Sequence, residues 1–436
     1  MAEINTESKN GMVKNTVYSL SSKAVAMLLF MITDIIVARC LTYEDYGEWT
    51  YYYSIVSILY VVARLGINSS SQVFVASRVD KEEKKKYLVY GFRTRAVSSI
   101  IFGALLLIIM PQIAGLFGYP EKYSNIKNLF IYMPLLVVGN SMVDYFKSIF
   151  VGTSEFKKVF WLTIYEYFGI ILLGASCVIL TENVIYLNIG YVISYIIVTA
   201  LGYRMMLTTV GKKIKSEEKK EKKEFVKNIL KYAIPVMLTS FVSVLLMDMD
   251  TFMLGIMCPK GESGIYAIPK SLLTKATNFS LSISSSTMVA FAVVTHEEAK
   301  KKKKSFTKIN LFNFGCVVAI CVGFLLLGKI FIKILYGEKY IASVGILFTL
   351  LPYFLLFSLS VFPATYLNYQ KLAHKSLTYN IIMFVCNLVL NLILIPKYGP
   401  MGAAIATSVS IVPYTVLLYI SAYKDFKMKE KEGRKD

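Results

Sequence analysis

Charged side chains stand inside apolar runs of helix length in this sequence: Lys23, Asp34, Arg39, Arg64, Asp144, Lys147, Glu166, Asp248, Asp250, Lys270 and Lys275. A charge near the centre of a bilayer costs at least about 2.5–3.5 kcal/mol on insertion scales, so such a side chain faces a cavity or a partner. Lys275 sits among Ser271, Thr274, Thr277, Asn278 and Ser280, with Lys270 shortly before it. Hydroxyls alone bond back to their own helix and prove little. A lysine amid this many polar groups reads as the lining of a wet cavity. Asp34 and Asp250 lie near the ends of their runs. They suit a coupling proton or cation, or ion pairs with Arg39 and Lys270 that fix a gate, and their terminal positions favour the pairs. Glu166, between Tyr165 and Tyr167, is a further coupling candidate. Arg64 and Lys23 could instead snorkel to lipid headgroups.

Other chemistries are excluded. The two histidines, His296 and His374, do not make a histidine metal site. The six cysteines are scattered without a C-x-x-C pair and read as small buried hydrophobes. Met247-Asp248-Met249-Asp250 lacks the ligand spacing and glycine of a calcium loop. There is no G-x-x-x-x-G-K-[ST] motif, so direct ATP hydrolysis is not expected, and no cofactor is.

The elements that must hold these charges are membrane helices. The chain is 56% hydrophobic, against about 45–50% for a soluble domain. Crossing the hydrocarbon needs about 20 apolar residues. Twelve runs meet this: roughly 16–41, 48–70, 88–114, 126–150, 158–180, 184–206, 228–257, 264–293, 308–332, 341–367, 375–396 and 401–423. The polar segment Met1 to Lys14 and the length of the first run argue against a cleaved signal peptide. Lysine and arginine fall on every second connection, as in Lys81 to Lys86, Lys212 to Lys231 and Lys300 to Lys304. The alternate connections are neutral or acidic, as in Leu41 to Glu48. That is the positive-inside pattern, and an even span count puts both termini in the cytoplasm. The net charge of +20 therefore reads as topology and anionic-phospholipid contact rather than nucleic-acid binding.

The two halves resemble each other at an offset near 216. Asp34 matches Asp250, Gly47 matches Gly264, and Glu82 to Lys86 matches Glu297 to Lys301. A six-span repeat keeps its orientation and implies two pseudo-symmetric lobes around a central cavity. The expected architecture is an all-α polytopic membrane protein: residues 1–210 as an N-terminal six-helix lobe, 211–226 as a charged cytoplasmic linker, 227–424 as a C-terminal six-helix lobe, and 425–436 as a charged cytoplasmic tail. Two such lobes suggest an alternating-access transporter.

The segment Ala38-Arg39-Cys40-Leu41-Thr42-Tyr43-Glu44-Asp45-Tyr46-Gly47 resembles the A-R-x-L-x-x-x-x-Y-G signature of bacterial polysaccharide flippases. These are the O-antigen, capsule and teichuronic-acid repeat-unit exporters of the multidrug/oligosaccharidyl-lipid/polysaccharide superfamily. Ile234-Pro235 through Asp250 to Gly264-Ile265-Tyr266 resembles their seventh span and outer turn. Phe150-Val151-Gly152-Thr153-Ser154-Glu155-Phe156-Lys157 is similar to their short inner loop after span 4. Tyr398-Gly399-Pro400-Met401-Gly402-Ala403-Ala404-Ile405-Ala406 is similar to the opening of span 12. The resemblance runs from about residue 12 to 423. Lipid II flippases of the same superfamily usually carry fourteen spans, and this chain has room for twelve.

The resemblance implies a flippase of the cytoplasmic membrane for an undecaprenyl-pyrophosphate-linked oligosaccharide. It implies cations on spans 1, 2 and 8 for the pyrophosphate, here Lys23, Arg64 and Lys275, with Lys270 and Asn278 on the same polar span. Arginine can grip such oxygens bidentately. A coupling proton or sodium ion, and polysaccharide-assembly proteins, are further expected partners. One alternative is a multidrug-type antiporter, which would want a more apolar cavity and a dominant acidic site. Another is a membrane polymerase or acyltransferase, which would want a long outer loop or an outward histidine.

Overall fold

The computed structural model describes residues 2–78, 80–118, 126–210, 219–291, 294–295 and 297–432. His296, most of the Lys212 to Lys220 charge run and the last four residues lie outside them. Helix dominates because backbone in hydrocarbon must satisfy its hydrogen bonds internally. The chain divides into two compact units, Met1–Val244 and Leu245–Asp436.

The first unit holds α1 (Ala2–Cys40), α2 (Tyr43–Arg64), α3 (Ile67–Ala76), α4 (Lys81–Gly118), α5 (Ile126–Gly152), α6 (Phe156–Gly169), a π-helical segment (Ile170–Ala175), α7 (Ser176–Thr181) and α8 (Val184–Val210). It also holds the start of α9 (Lys219–Met257). The second unit continues with α10 (Glu262–Thr287), α11 (Ala299–Leu335), α12 (Ser343–Tyr369) and α13 (Ala373–Glu432).

Over the described residues every expected span falls largely on helix. Among the described residues nine helices are long and apolar enough to cross a membrane, or ten if the bent pair α2 and α3 forms one span. The other two are accounted for by composition and length. Serines, threonines and lysines make α10 too polar to pass. The 60-residue α13 joins two helices across Gly399, whose backbone (φ 55, ψ −134) is not helical. At about 1.5 Å per residue it would be about three times the thickness of the hydrocarbon.

Large apolar side chains cover the outward faces. Val97, Ile101, Leu105 and Ile108 stand exposed along one face of α4, a pattern that belongs against lipid. Inside the first unit, α5 is the hub and touches α2, α3, α4, α6 and α8. Its Leu129, Met133, Leu136 and Val137 are fully buried. Inside the second unit α12 plays that part against α10, α11 and α13. The fourth span of each half is thus the central one, as the sequence repeat requires. At one end of α12, Tyr366 stacks on Phe426 of α13 at 4.4 Å and donates to Asp425 at 2.6 Å, while Lys429 pairs with Asp425 at 2.8 Å. The expected tail is therefore helical through Glu432 and fastened from its start.

Two local departures from regular helix matter for the charges. The second span breaks at Leu65 and Gly66, both left-handed (φ 48 and 66), and bends by 44°. Gly66 is required there: a Cβ would lie 2.1 Å from the Ala233 carbonyl oxygen of α9. The fifth span widens into the π-helical segment directly after Gly169. Across from it Gly190 of α8 approaches so closely that a Cβ would meet the Leu173 carbonyl at 2.2 Å. A third difference is Glu48. The sequence placed it in a connection, but Thr42 caps α2 by accepting from the Asp45 amide, so helix starts earlier and Glu48 is fully buried.

Candidate functional site

In the first unit four of the intramembrane charges are held in two pairs. Arg64, the last residue of α2, meets Asp144 of α5 at 2.9 Å, and both side chains keep a little over a quarter of their surface exposed. Asn68 of α3 donates to the same carboxylate oxygen at 3.3 Å and to the Ser141 carbonyl at 3.2 Å. The Tyr60 ring lies 5.3 Å from the Arg64 guanidinium. One turn further along α5, Lys147 pairs with Glu166 of α6. Ser194 of α8 donates to the Glu166 backbone carbonyl at 3.2 Å, just ahead of the π-helical segment. Removing one partner of a desolvated pair typically costs about 3–5 kcal/mol, because it strands the other charge. Pairing is the physical reason that these residues are tolerated inside apolar helices.

Arg95 of α4 was not singled out in the sequence and is among the largest fully buried side chains of the described residues. Its Nη1 donates to the Ala63 carbonyl at 2.6 Å. That carbonyl belongs to the last turn of α2, where the break at Leu65 and Gly66 removes the usual helical donor. Its Nε and Nη2 have no hydrogen-bond partner. The signal was available: an arginine a few residues into the third apolar run.

Each half carries an aspartate bound by a tyrosine from its next helix. Tyr46 donates to Asp34 at 3.0 Å in the first unit. In the second, Tyr266 donates to Asp250 at 2.6 Å. Asp250 is the more enclosed, with 1% of its surface exposed. Thr407 and Asn391 of α13 donate to it at 2.8 and 2.7 Å. Asn387 joins by donating to Thr407 at 3.3 Å and accepting from Asn391 at 3.0 Å. Lys270 supplies the counter-charge at 3.6 Å. The expected Asp250–Lys270 pair is therefore present, inside a larger polar cradle. Asn387, Asn391 and Thr407 went unnoticed in the sequence. Two asparagines four apart in an apolar run were the available sign, since they fall on one helix face.

On α10, Lys275 is half-buried and donates to Ser271 at 2.7 Å. Asn278 is exposed one turn on, and Ser280 is buried against Asn313 of α11 at 2.8 Å. In the first unit Lys23 is exposed on α1, next to Ser22, which is buried and donates to Thr163 of α6 at 3.1 Å. Arg39 is exposed in the last turn of α1.

Each unit thus presents exposed or half-exposed cations together with an enclosed carboxylate. Comparison with known proteins places the chain. The sequence profile of the polysaccharide biosynthesis protein family matches residues 12–292. An uncharacterized membrane protein of Methanocaldococcus jannaschii is 24% identical over 419 residues, covering 92% of this chain and 95% of that protein. An inward-facing multidrug resistance MATE transporter of the MOP superfamily superposes with a TM-score of 0.68 at 17% identity, covering 93% of this chain and 96% of that one. The lipid II flippase MurJ, in an inward closed conformation, gives 0.69 at 18%, covering 96% and 90%. At such identities the likeness is one of fold. The chain belongs to the polysaccharide biosynthesis protein family, as a multi-pass membrane protein with the transporter fold shared by MATE proteins and MurJ.

Proposed function

We propose that the protein is a flippase that moves an undecaprenyl-pyrophosphate-linked oligosaccharide from the inner to the outer leaflet of the cytoplasmic membrane by alternating access. The observation that carries this reading is the state of the cations. Arg64 and Lys275 stand within apolar spans, are only partly enclosed, and are held by partners that an anion can displace. Lys23, exposed on α1, offers a further phosphate contact in the first unit, and in the second Lys270 and Asn278 extend the polar face of α10 for sugar or phosphate. Asp34, Arg39, Glu166 and Asp250 gate the cycle or carry its coupling proton or sodium ion. The lysine-rich ends face the cytoplasm, where they contact anionic phospholipids and polysaccharide-assembly proteins, with both termini on that side.

A strain lacking the gene is the test. It should accumulate undecaprenyl-pyrophosphate-linked oligosaccharide on the inner face and lose surface polysaccharide. Wild type should restore export, whereas Arg64→Ala and Lys275→Ala should not. Normal export from both variants would refute the anion site. Unchanged polysaccharide with altered drug tolerance would instead favour a small-molecule antiporter, the reading to which the enclosed Asp250 cradle lends itself.

A further inference from the structure

We propose that Arg95 is a positioning residue for the anion site: it takes over Asp144 when Arg64 turns to the substrate phosphate. This rests on the flippase reading above for the identity of the anion, but its geometry stands by itself. A phosphate gripped by the Arg64 guanidinium competes with Asp144, 2.9 Å away, for the same positive charge. Releasing Arg64 leaves a partly enclosed carboxylate with neutral donors alone, Asn68 at 3.3 Å and the Tyr60 hydroxyl. The compensating charge is already in place. Arg95 is fully buried, is anchored by one nitrogen to the Ala63 carbonyl beside Arg64, and has two nitrogens without a partner. Asp144, Arg64, Tyr60 and Tyr145 are the ionisable groups within its electrostatic reach. Unpaired buried donors are uncommon and call for an explanation. A swing of its free N–H groups to Asp144 satisfies them and the stranded carboxylate together. The break at Leu65 and Gly66 lies next to Arg64.

The test needs no substrate for its first arm. Full-length protein purified in detergent is melted as wild type, Arg64→Gln, Arg95→Lys and the double variant, each with Asp144 and with Asp144→Asn. Arg95→Lys keeps a charged donor for Ala63 but loses the fork. If Arg95 takes over Asp144, the double variant loses about 3 °C or more beyond the sum of the singles, and Asp144→Asn abolishes that excess. Additivity within about 1 °C overturns the proposal. Should Arg95→Lys fail to fold, the pair Arg64→Gln and Arg64→Gln/Asp144→Asn decides. A rise of several degrees on adding Asp144→Asn shows a stranded carboxylate and overturns the proposal, and no rise supports it. The second arm measures binding of undecaprenyl pyrophosphate. Arg95→Lys should weaken it about tenfold with Asp144 present and less than about twofold with Asp144→Asn. Equal weakening in both backgrounds overturns the proposal. Absence of binding to wild type contradicts the flippase reading while the melting cycle still decides Arg95.

Discussion

Asp250 shows how one carboxylate is kept inside a membrane helix. Two neutral donors from α13, one tyrosine from α10 and the Lys270 ammonium surround it, so its charge is solvated by protein. Asp250→Ala should destabilise the protein by about 3–5 kcal/mol, because Lys270 is left buried without its counter-charge. Thermal melting in detergent checks this. Asp250→Ala/Lys270→Met should recover much of the loss, since replacing both members of a buried pair is far milder than removing one. A double variant no more stable than the single would show that the neutral ligands, rather than the ion pair, hold the cradle. The exposed pair Lys333–Glu338, by contrast, should contribute no more than about 1 kcal/mol, and Glu338→Gln should leave melting nearly unchanged.

The elements were legible where composition alone decides. Length and apolar content located the helices, and the offset of Asp34 to Asp250 announced the repeat that the hub positions of α5 and α12 display. The breaks were not legible. Arg64-Leu65-Gly66-Ile67 reads as an unbroken run, and a lone glycine in a helical pattern signals several things. What decides it is the approach of Ala233, distant in the chain. The π-helical turn has no sequence signature either. Pairings such as Arg64 with Asp144 or Lys147 with Glu166 depend on which helices meet α5, which periodicity does not specify. The break makes a prediction. Gly66→Ala should lose at least about 2 kcal/mol of stability from left-handed strain plus the clash with Ala233. Gly315→Ala on α11, where a Cβ meets nothing within 4 Å, should be neutral or mildly stabilising. Similar melting of the two variants would contradict the local geometry.

At the scale of the whole molecule, the proposed orientation in the membrane rests on the alternation of charge across the connections. Single cysteines at Lys302 and Lys339, in a variant lacking the six native cysteines, should label from opposite sides of intact cells, with Lys339 reached from outside. Labelling of both from one side would contradict the topology. Under the proposed function, polar groups along α10 and the paired charges of the first unit each offer a place to meet an anionic headgroup. The proposed activity is movement of a pyrophosphate-linked lipid across the membrane. It is tested most directly in proteoliposomes carrying a fluorescent short-chain polyprenyl-pyrophosphate disaccharide, by the rate at which a membrane-impermeant quencher reaches the inner-leaflet pool. Wild type should expose that pool well ahead of protein-free vesicles, with Arg64→Ala and Lys275→Ala each slowed about tenfold or more, the loss of one charge-assisted phosphate contact. Exposure no faster than in empty vesicles, or unaffected by both substitutions, would contradict the account.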